Sequence, residues 1–252
     1  MITRKTPAQL DLMAAAGDVH GRCMKLISGL IRPGVTTAEL DAAAEKFIRS
    51  QGGVPTFKGF RGFPGSICAS PNSMVVHGIP GPYELRKGDI ISVDIGVTLD
   101  GWVADAACTF PVGQIDPKTA DMLKVTKESL DLGAAQMVPG KRVGDIGNAV
   151  QTHVEAAGYS VIRTLVGHGI GQNMHEDPQI PNYGTPGKGP LIEAGMVFAI
   201  EPMVNVGGPG VYADESDGWS VYSDDDSMAA HFEFTVAATE AGPRILTPWD
   251  KI

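Results

Sequence analysis

Apolar residues recur at helical spacing from the start of the chain, with Leu10, Met13, Ala14, Gly17, Met24 and Ile27 on one stripe. Thr6-Pro7-Ala8-Gln9 precedes it, a capping box with proline at the first helical position. Pro33-Gly34 ends that helix. Thr36-Thr37-Ala38-Glu39 then caps a second, striped by Leu40, Ala44, Phe47 and Ile48 and stopped by Gly52-Gly53. Further on the period changes from helical to alternating. Ile91, Val93, Ile95, Val97 and Leu99 interleave with Ser92, Asp94, Gly96 and Thr98, which predicts a strand. Asp100-Gly101 is a strong signal for a two-residue hairpin turn. With the turn there, Leu99 faces Trp102, Gly96 faces Asp105 and Asp94 faces Ala107. Asp94 and Asp105 then share one face as diagonal neighbours, about 7–8 Å apart at the backbone. Two carboxylates at that separation can hold a metal between their oxygens; the plainer alternative is the solvent-facing polar side of a half-exposed hairpin.

The second half of the chain repeats this scheme. Asp116-Pro117 caps a long helix, Pro139-Gly140 ends it, and Ile146, Val150 and Val154 stripe the next. At an offset of 106, Leu40 matches Ile146, Ala44 matches Val150, Ile48 matches Val154 and Gly52 matches Gly158. At an offset of 107, KGDIISVD (87–94) matches AGMVFAIE (194–201). The chain therefore reads as one domain, 1–252, with pseudo-symmetric halves of roughly 6–112 and 113–240. Each half delivers two acids, Asp94 with Asp105 and Glu201 with Glu233. Folded about a twofold axis, they would converge. Four clustered carboxylates cannot all stay ionised without positive charge among them, and a pair of divalent metal ions is the simplest source. Residues 206–227, rich in Gly, Asp and Ser, read as a long, partly irregular connection.

Composition narrows the class. The formal net charge is −9 with no basic run, which argues against tracking a nucleic-acid backbone. Cys23, Cys68 and Cys108 are odd in number and far apart, without a C-x-x-C pair, as expected in a reducing compartment. The N-terminus has no signal-peptide core, and no run approaches the ~20 apolar residues of a membrane span. A cytoplasmic protein is expected.

His20 and His153 fall in helical stretches and read as ordinary structural residues. His168 and His175 lie in GHGIGQNMH, whose glycines at 167, 169 and 171 read as a glycine-rich loop. Their spacing differs from H-E-x-x-H, where two ligands share a helical turn. His77 lies in NSMVVHGIP, between an apolar strand and a turn. Glu201 in AIEPMV and Glu233 in HFEFTV are acids inside apolar runs, expensive there unless paired or metal-bound. Beside Glu233, His231 and Thr235 share its face, while Phe232, Phe234 and Val236 point to the core.

Over almost all its length the chain resembles type I methionine aminopeptidases. The matching words are VVHGIP, VDIG with an acid eleven residues after Asp94, GHGIG with a histidine seven residues after His168, IEPM, and the FE of HFEFTV. The 26 residues from His175 to Glu201 suit type I, and the chain starts almost directly at the catalytic domain. The resemblance implies an α+β pita-bread fold, two αβ halves around a central antiparallel sheet. It implies that Asp94, Asp105, His168, Glu201 and Glu233 bind two divalent ions, of Co, Mn, Fe or Zn, with Asp105 and Glu233 bridging them. It makes Glu201 the general base and acid, and has His77 and His175 position substrate and stabilise the oxyanion. Phe60, Phe63, Cys68, Met174 and Trp219 would line the methionine pocket. The implied partners are nascent polypeptide N-termini, with transient ribosome contact and a monomeric state.

Several positions depart from the usual family pattern: His231 stands where Gln is common, Phe234 for His, Ala106 for Thr, Phe60 and Phe63 for Tyr, and Met174 for Phe. None removes a ligand; His231 could be a further metal contact, though a place beside the ligands is the favoured expectation. Two other readings remain: an Xaa-Pro aminopeptidase or prolidase, which usually carries a further N-terminal domain, and a non-catalytic pita-bread binding module, which loses ligands.

Overall fold

A computed structural model describes residues 2–251. Four long helices follow the capping signals. Helix α1 (Pro7–Leu30) starts at Thr6, whose hydroxyl accepts from Gln9 N–H (3.3 Å) while the Gln9 side chain accepts from Thr6 N–H (2.8 Å). It ends before Pro33, at Leu30. Helix α2 (Thr37–Ser50) repeats the box with Thr36 and Glu39. Asp116 caps α3 (Pro117–Ala134) through Lys118 N–H and Thr119 N–H. Helix α4 (Val143–Ala156) starts from Arg142, whose N–H donates to Asp145 at 2.7 Å. Asp145, at the third helical position, so supplies half of a capping box.

The first half contributes β1 (Val54–Pro55), β2 (Cys68–Pro71), β3 (Met74–Val76), β4 (Ile90–Leu99) and β5 (Trp102–Pro111). The second contributes β6 (Ser160–Val161), β7 (Gly167–Gly169), β8 (Glu176–Ile180), β9 (Val197–Ile200) and β10 (Met203–Asn205). Then come β11 (Val211–Ala213), β12 (Val221–Ser223), β13 (Ala229–His231), β14 (Phe234–Thr239) and β15 (Gly242–Ile245). Every pairing between these strands is antiparallel. The internal repeat is legible in the fold. Helices α2 and α4 begin 106 residues apart and end 106 apart, as do β1 and β6. A lone bridge from Thr36 to Glu84 precedes α2, and one from Arg142 to Leu191 precedes α4.

The hairpin of β4 and β5 has the expected register: Leu99 opposite Trp102, Gly96 opposite Asp105, Asp94 opposite Ala107. Strand β4 also pairs with β1 and β2, which follow one another along its other edge. The second large sheet runs β15-β14-β9-β7-β8. The central sheet is thus interrupted, and its two parts meet where β5 lies beside β14. There Glu233 N–H donates to the Ala107 carbonyl (2.9 Å), and the Thr235 hydroxyl donates to the Asp105 carbonyl (2.7 Å) while accepting from Asp105 N–H (3.1 Å). The strand breaks at Phe232 and Glu233, so a side-chain hydroxyl does what a backbone ladder would do.

The polar face of the hairpin does not meet water. Ser92, Asp105 and Thr109 are buried, and their face packs against the second half. The Ser92 and Thr109 hydroxyls are 2.8 Å apart, and Thr109 reaches the His231 carbonyl at 2.9 Å. The half-exposed hairpin is therefore excluded: its Ser92 and Thr109 hydroxyls find partners inside the molecule. Residues 206–227 are the partly irregular connection expected, and they also carry β11 and β12, of which β12 pairs onto β3. The expected glycine-rich loop is corrected in its first part: Gly167 and Gly169 of GHGIG lie in strand β7, held between β8 and β9, and Gly171 follows it. A Cβ at Gly167 would lie 2.3 Å from the Ala199 carbonyl oxygen, and one at Gly169 2.1 Å from that of Asp177. Close approach of neighbouring backbone, and not loop flexibility, requires glycine here.

The main core lies between the helices and the sheets. Leu40, Ala44 and Ile48 of α2 pack with Ile91, Val93 and Ile95 of β4 in one cluster, which continues through Ile146, Val150 and Val154 of α4. A second apolar cluster includes Phe57, Phe63, Cys68 and Met174. No helix among the described residues is long and apolar enough to cross a membrane.

Candidate metal centre and active site

Five ionisable side chains converge where the two sheets meet. Asp94 comes from the middle of β4, flanked by Cys68 and Ala107 on its neighbours. Asp105 comes from β5 and His168 from β7. Glu201 directly follows β9, and Glu233 directly precedes β14. Ligand atoms of Asp105, His168 and Glu233 all lie within 4.8 Å of one another. His168 Nε2 is 3.8 Å from Asp105 Oδ2 and 3.7 Å from Glu201 Oε1. Its Nδ1 is 2.8 Å from the Gly169 carbonyl, which can only accept, so Nδ1 carries the proton and Nε2 offers its lone pair to the cluster. The Asn182 side chain donates to the Glu201 carbonyl (2.9 Å), and the Trp249 indole N–H to that of Glu233 (2.9 Å). The backbone beneath both acids is thereby fixed.

The donor set fits divalent metal ions. Asp94 Oδ1, Asp105 Oδ1, Glu233 Oε1 and His231 Nε2 are buried without a hydrogen-bond partner. Such orphans cost about 1–3 kcal/mol each, more when charged. Burial, with repulsion from neighbouring carboxylates, drives Asp105 and Glu233 far above the usual carboxylate range. Burial raises Glu201 to about 8, and burial, against attraction from His231, raises Asp94 to about 6. Burial also lowers His168 and His77 to about 4 each, so both imidazoles are neutral at pH 7. Oxygen-rich sites with neutral imidazole suit borderline and hard divalent cations.

These groups form one wall of a cavity of about 220 Å³, and every residue expected at the metal, catalytic or substrate site lines it: Phe60, Phe63, Cys68, His77, Asp94, Asp105, His168, Met174, His175, Glu201, Trp219 and Glu233. Phe63 and Trp219 meet edge to face, with centroids 5.1 Å apart. His175 stacks obliquely on His168 (4.3 Å) and Phe60 (5.5 Å). Burial holds the Cys68 thiol protonated. His77 adopts φ +61°, a left-handed conformation unusual for a side-chain-bearing residue, which turns its ring into the cavity. Two lining residues escaped the sequence reading, Phe57 and Arg61. Phe57, Phe60 and Phe63 recur every three residues, a signal that was present; Arg61 carries none. His20 and His153 lie elsewhere, the first buried and bonded to the Ala106 carbonyl (3.0 Å), the second beside Glu128 (3.1 Å).

Residues 11–240 match metallopeptidase family M24. The chain belongs to that family. A methionine aminopeptidase of Clostridium perfringens is 49% identical over 247 residues, spanning 98% of this chain and 99% of that protein. The crystal structure of methionine aminopeptidase from Rickettsia prowazekii matches with a TM-score of 0.97 at 38% identity, over 98% of this chain and 100% of that one. Prolidase from Pyrococcus furiosus matches less well, with a TM-score of 0.77 at 20% identity over 97% of this chain and 65% of that one. That likeness is one of fold. The M24 chain has the α+β pita-bread fold of these neighbours. As an M24 peptidase it uses divalent metal, and the donor cluster is where metal fits.

Proposed function

We propose that this M24 peptidase removes the N-terminal methionine from nascent polypeptides whose second residue is small. The observation that carries the reading is the composition of this cavity: an apolar, sulfur- and aromatic-rich recess faces a carboxylate and imidazole cluster. Phe60, Phe63, Cys68, Met174 and Trp219 offer the soft, polarizable contacts a thioether prefers. The near full-length likeness to methionine aminopeptidases supports the same substrate.

Asp94, Asp105, His168, Glu201 and Glu233 would hold two ions, of Co, Mn, Fe or Zn. Such ions supply Lewis acidity and lower the pKa of water near the first peptide bond. Glu201 takes the proton from that water and returns it to the leaving amine. His77 and His175 hold the substrate carbonyl and donate to its oxygen as charge develops. The wall of Phe57, Phe60 and Trp219 excludes bulk water from these bonds. Residues 1–252 act as one unit, its halves 6–112 and 113–240, a reading supported by the 106-residue spacing of α2 and α4. The enzyme works as a cytoplasmic monomer and meets its substrates through transient ribosome contact.

Cleavage of Met-Ala-Ser, Met-Lys-Ser and Ala-Pro peptides, each with Co²⁺, Mn²⁺, Fe²⁺ or Zn²⁺, tests the proposal. Met-Ala-Ser should turn over, Met-Lys-Ser hardly at all and Ala-Pro not at all. Absence of Met-Ala-Ser cleavage with every metal would overturn it, and preferential Ala-Pro cleavage would favour the prolidase-like alternative.

A further inference from the structure

His231 is the last residue of β13, two positions before Glu233, and only 2% of it is exposed. Its backbone is clamped on both sides. Its N–H donates to the Thr109 hydroxyl (2.9 Å), its carbonyl accepts from that hydroxyl (2.9 Å), and it pairs with Met203 across β10. The ring is therefore aimed by sheet register, and it points into the carboxylate cluster. Nε2 lies 3.6 Å from Glu201 Oε2 and 3.8 Å from Glu233 Oε2, too far for a hydrogen bond to either. It has no other partner.

His168 offers an internal standard. Its Nε2 stands 3.7 Å from Glu201 Oε1 and 3.8 Å from Asp105 Oδ2. The two imidazoles thus flank the Glu201 carboxylate, one per oxygen, at matching separations. Donor atoms bound to one ion at about 2.0–2.2 Å stand roughly 3–4 Å from each other. An unbonded nitrogen at that spacing from two acids has the geometry of a ligand. A residue that only oriented Glu201 would sit at hydrogen-bond distance.

We infer that His231 Nε2 is a metal ligand, giving the centre a second imidazole donor beside His168. The inference rests on the dinuclear reading above. Imidazole donors suit Zn²⁺ and Fe²⁺, whereas carboxylate donors suit Mn²⁺. His231 therefore biases the centre towards the former.

The experiment counts coordinated nitrogens. Wild-type protein, His231→Gln and His231→Asn are stripped of metal, reloaded with Mn²⁺ and studied by pulsed EPR, with circular dichroism to confirm the fold. Wild type should show couplings from two imidazole nitrogens, and each folded variant from one. Co²⁺ titration should show at least about tenfold weaker binding at one site in the variants, with selectivity moved towards Mn²⁺. A single nitrogen in wild type, or an unchanged count in a folded variant, would overturn the inference. If neither variant folds, the wild-type count alone decides. The count is independent of peptide turnover, so its failure is distinguishable from failure of the aminopeptidase reading.

Discussion

Glu233 is 1% exposed and faces other acids, so in metal-free protein it is a liability. Burial first, then Asp105, Glu201 and Asp94, raise its folded pKa above the unfolded value near 4.3. A carboxyl shifted upward stabilises the fold below its unfolded pKa, and that contribution disappears as pH rises through the folded value. Chelated wild-type protein should therefore lose stability from about pH 4.5 upwards, and Glu233→Gln should flatten that slope. At pH 7 the variant should melt a few degrees above wild type in chelator; about 1 kcal/mol corresponds to roughly 2–4 °C at this size. Excess metal should reverse the order, because only wild type keeps the full donor set and gains binding energy. Equal melting temperatures with and without chelator would contradict this. His20 has the opposite sign. Burial lowers it to about 4, against a raising bond from the Ala106 carbonyl. The unfolded chain takes up its proton first, near pH 6.5, so stability attributable to His20 falls between about 6.5 and 4, by roughly 3 kcal/mol in total. The difference between wild type and His20→Gln in urea melts across that window measures it.

At the scale of elements, β7 shows how three residues can be legible in composition and opaque in role. Glycines at alternate positions exclude a helix, but do not say whether they serve flexibility or proximity. The contacts decide: a Cβ at Gly169 would strike the Asp177 backbone carbonyl at 2.1 Å, whereas at Gly171 it would meet the far ends of the Lys5 and Glu176 side chains at 2.6 Å. Gly169→Ala should cost more than about 2 kcal/mol and displace His168, and Gly171→Ala should cost less; comparable losses for the two would refute the proximity argument. Arg61 runs the other way. It holds φ +50° between Gly59 and Gly62, so Arg61→Gly should raise stability by up to about 1 kcal/mol in thermal melts. Capping boxes, the Asp100-Gly101 turn and the 106-residue repeat were readable because each is a local rule obeyed locally. The break at Phe232 and Glu233, the pairing of β12 onto β3, and Arg61 at the cavity were not. Each depends on which distant strand lies alongside, which no local pattern encodes. Of the candidate site, the acids and histidines announced themselves as costly residues in apolar runs.

On the scale of the whole molecule, the cavity exists because two half-chains meet along β5 and β14. Each half supplies acids to a cluster that neither could form alone. At the seam, Thr235 Oγ1 accepts from Asp105 N–H and donates to the Asp105 carbonyl, replacing two rungs of a backbone ladder. Its own N–H donates to the Thr247 hydroxyl (2.9 Å), which binds the seam to the chain after β15. Thr235→Val keeps the shape of the side chain but leaves a buried donor and a buried acceptor of Asp105 unpaired. At about 1–3 kcal/mol for each orphaned group, the loss should be several kcal/mol. Thr235→Ser keeps the hydroxyl and should lose much less. The seam also fixes the backbone of Asp105, so the same loss should appear in metal affinity. Thr235→Val should bind Co²⁺ at least about tenfold more weakly than Thr235→Ser, measured on protein that remains folded. If urea melts show the valine variant destabilised while its metal affinity equals that of the serine variant, the hydroxyl serves the fold alone. If both fall together, one side chain couples the joining of the halves to the placement of the acids.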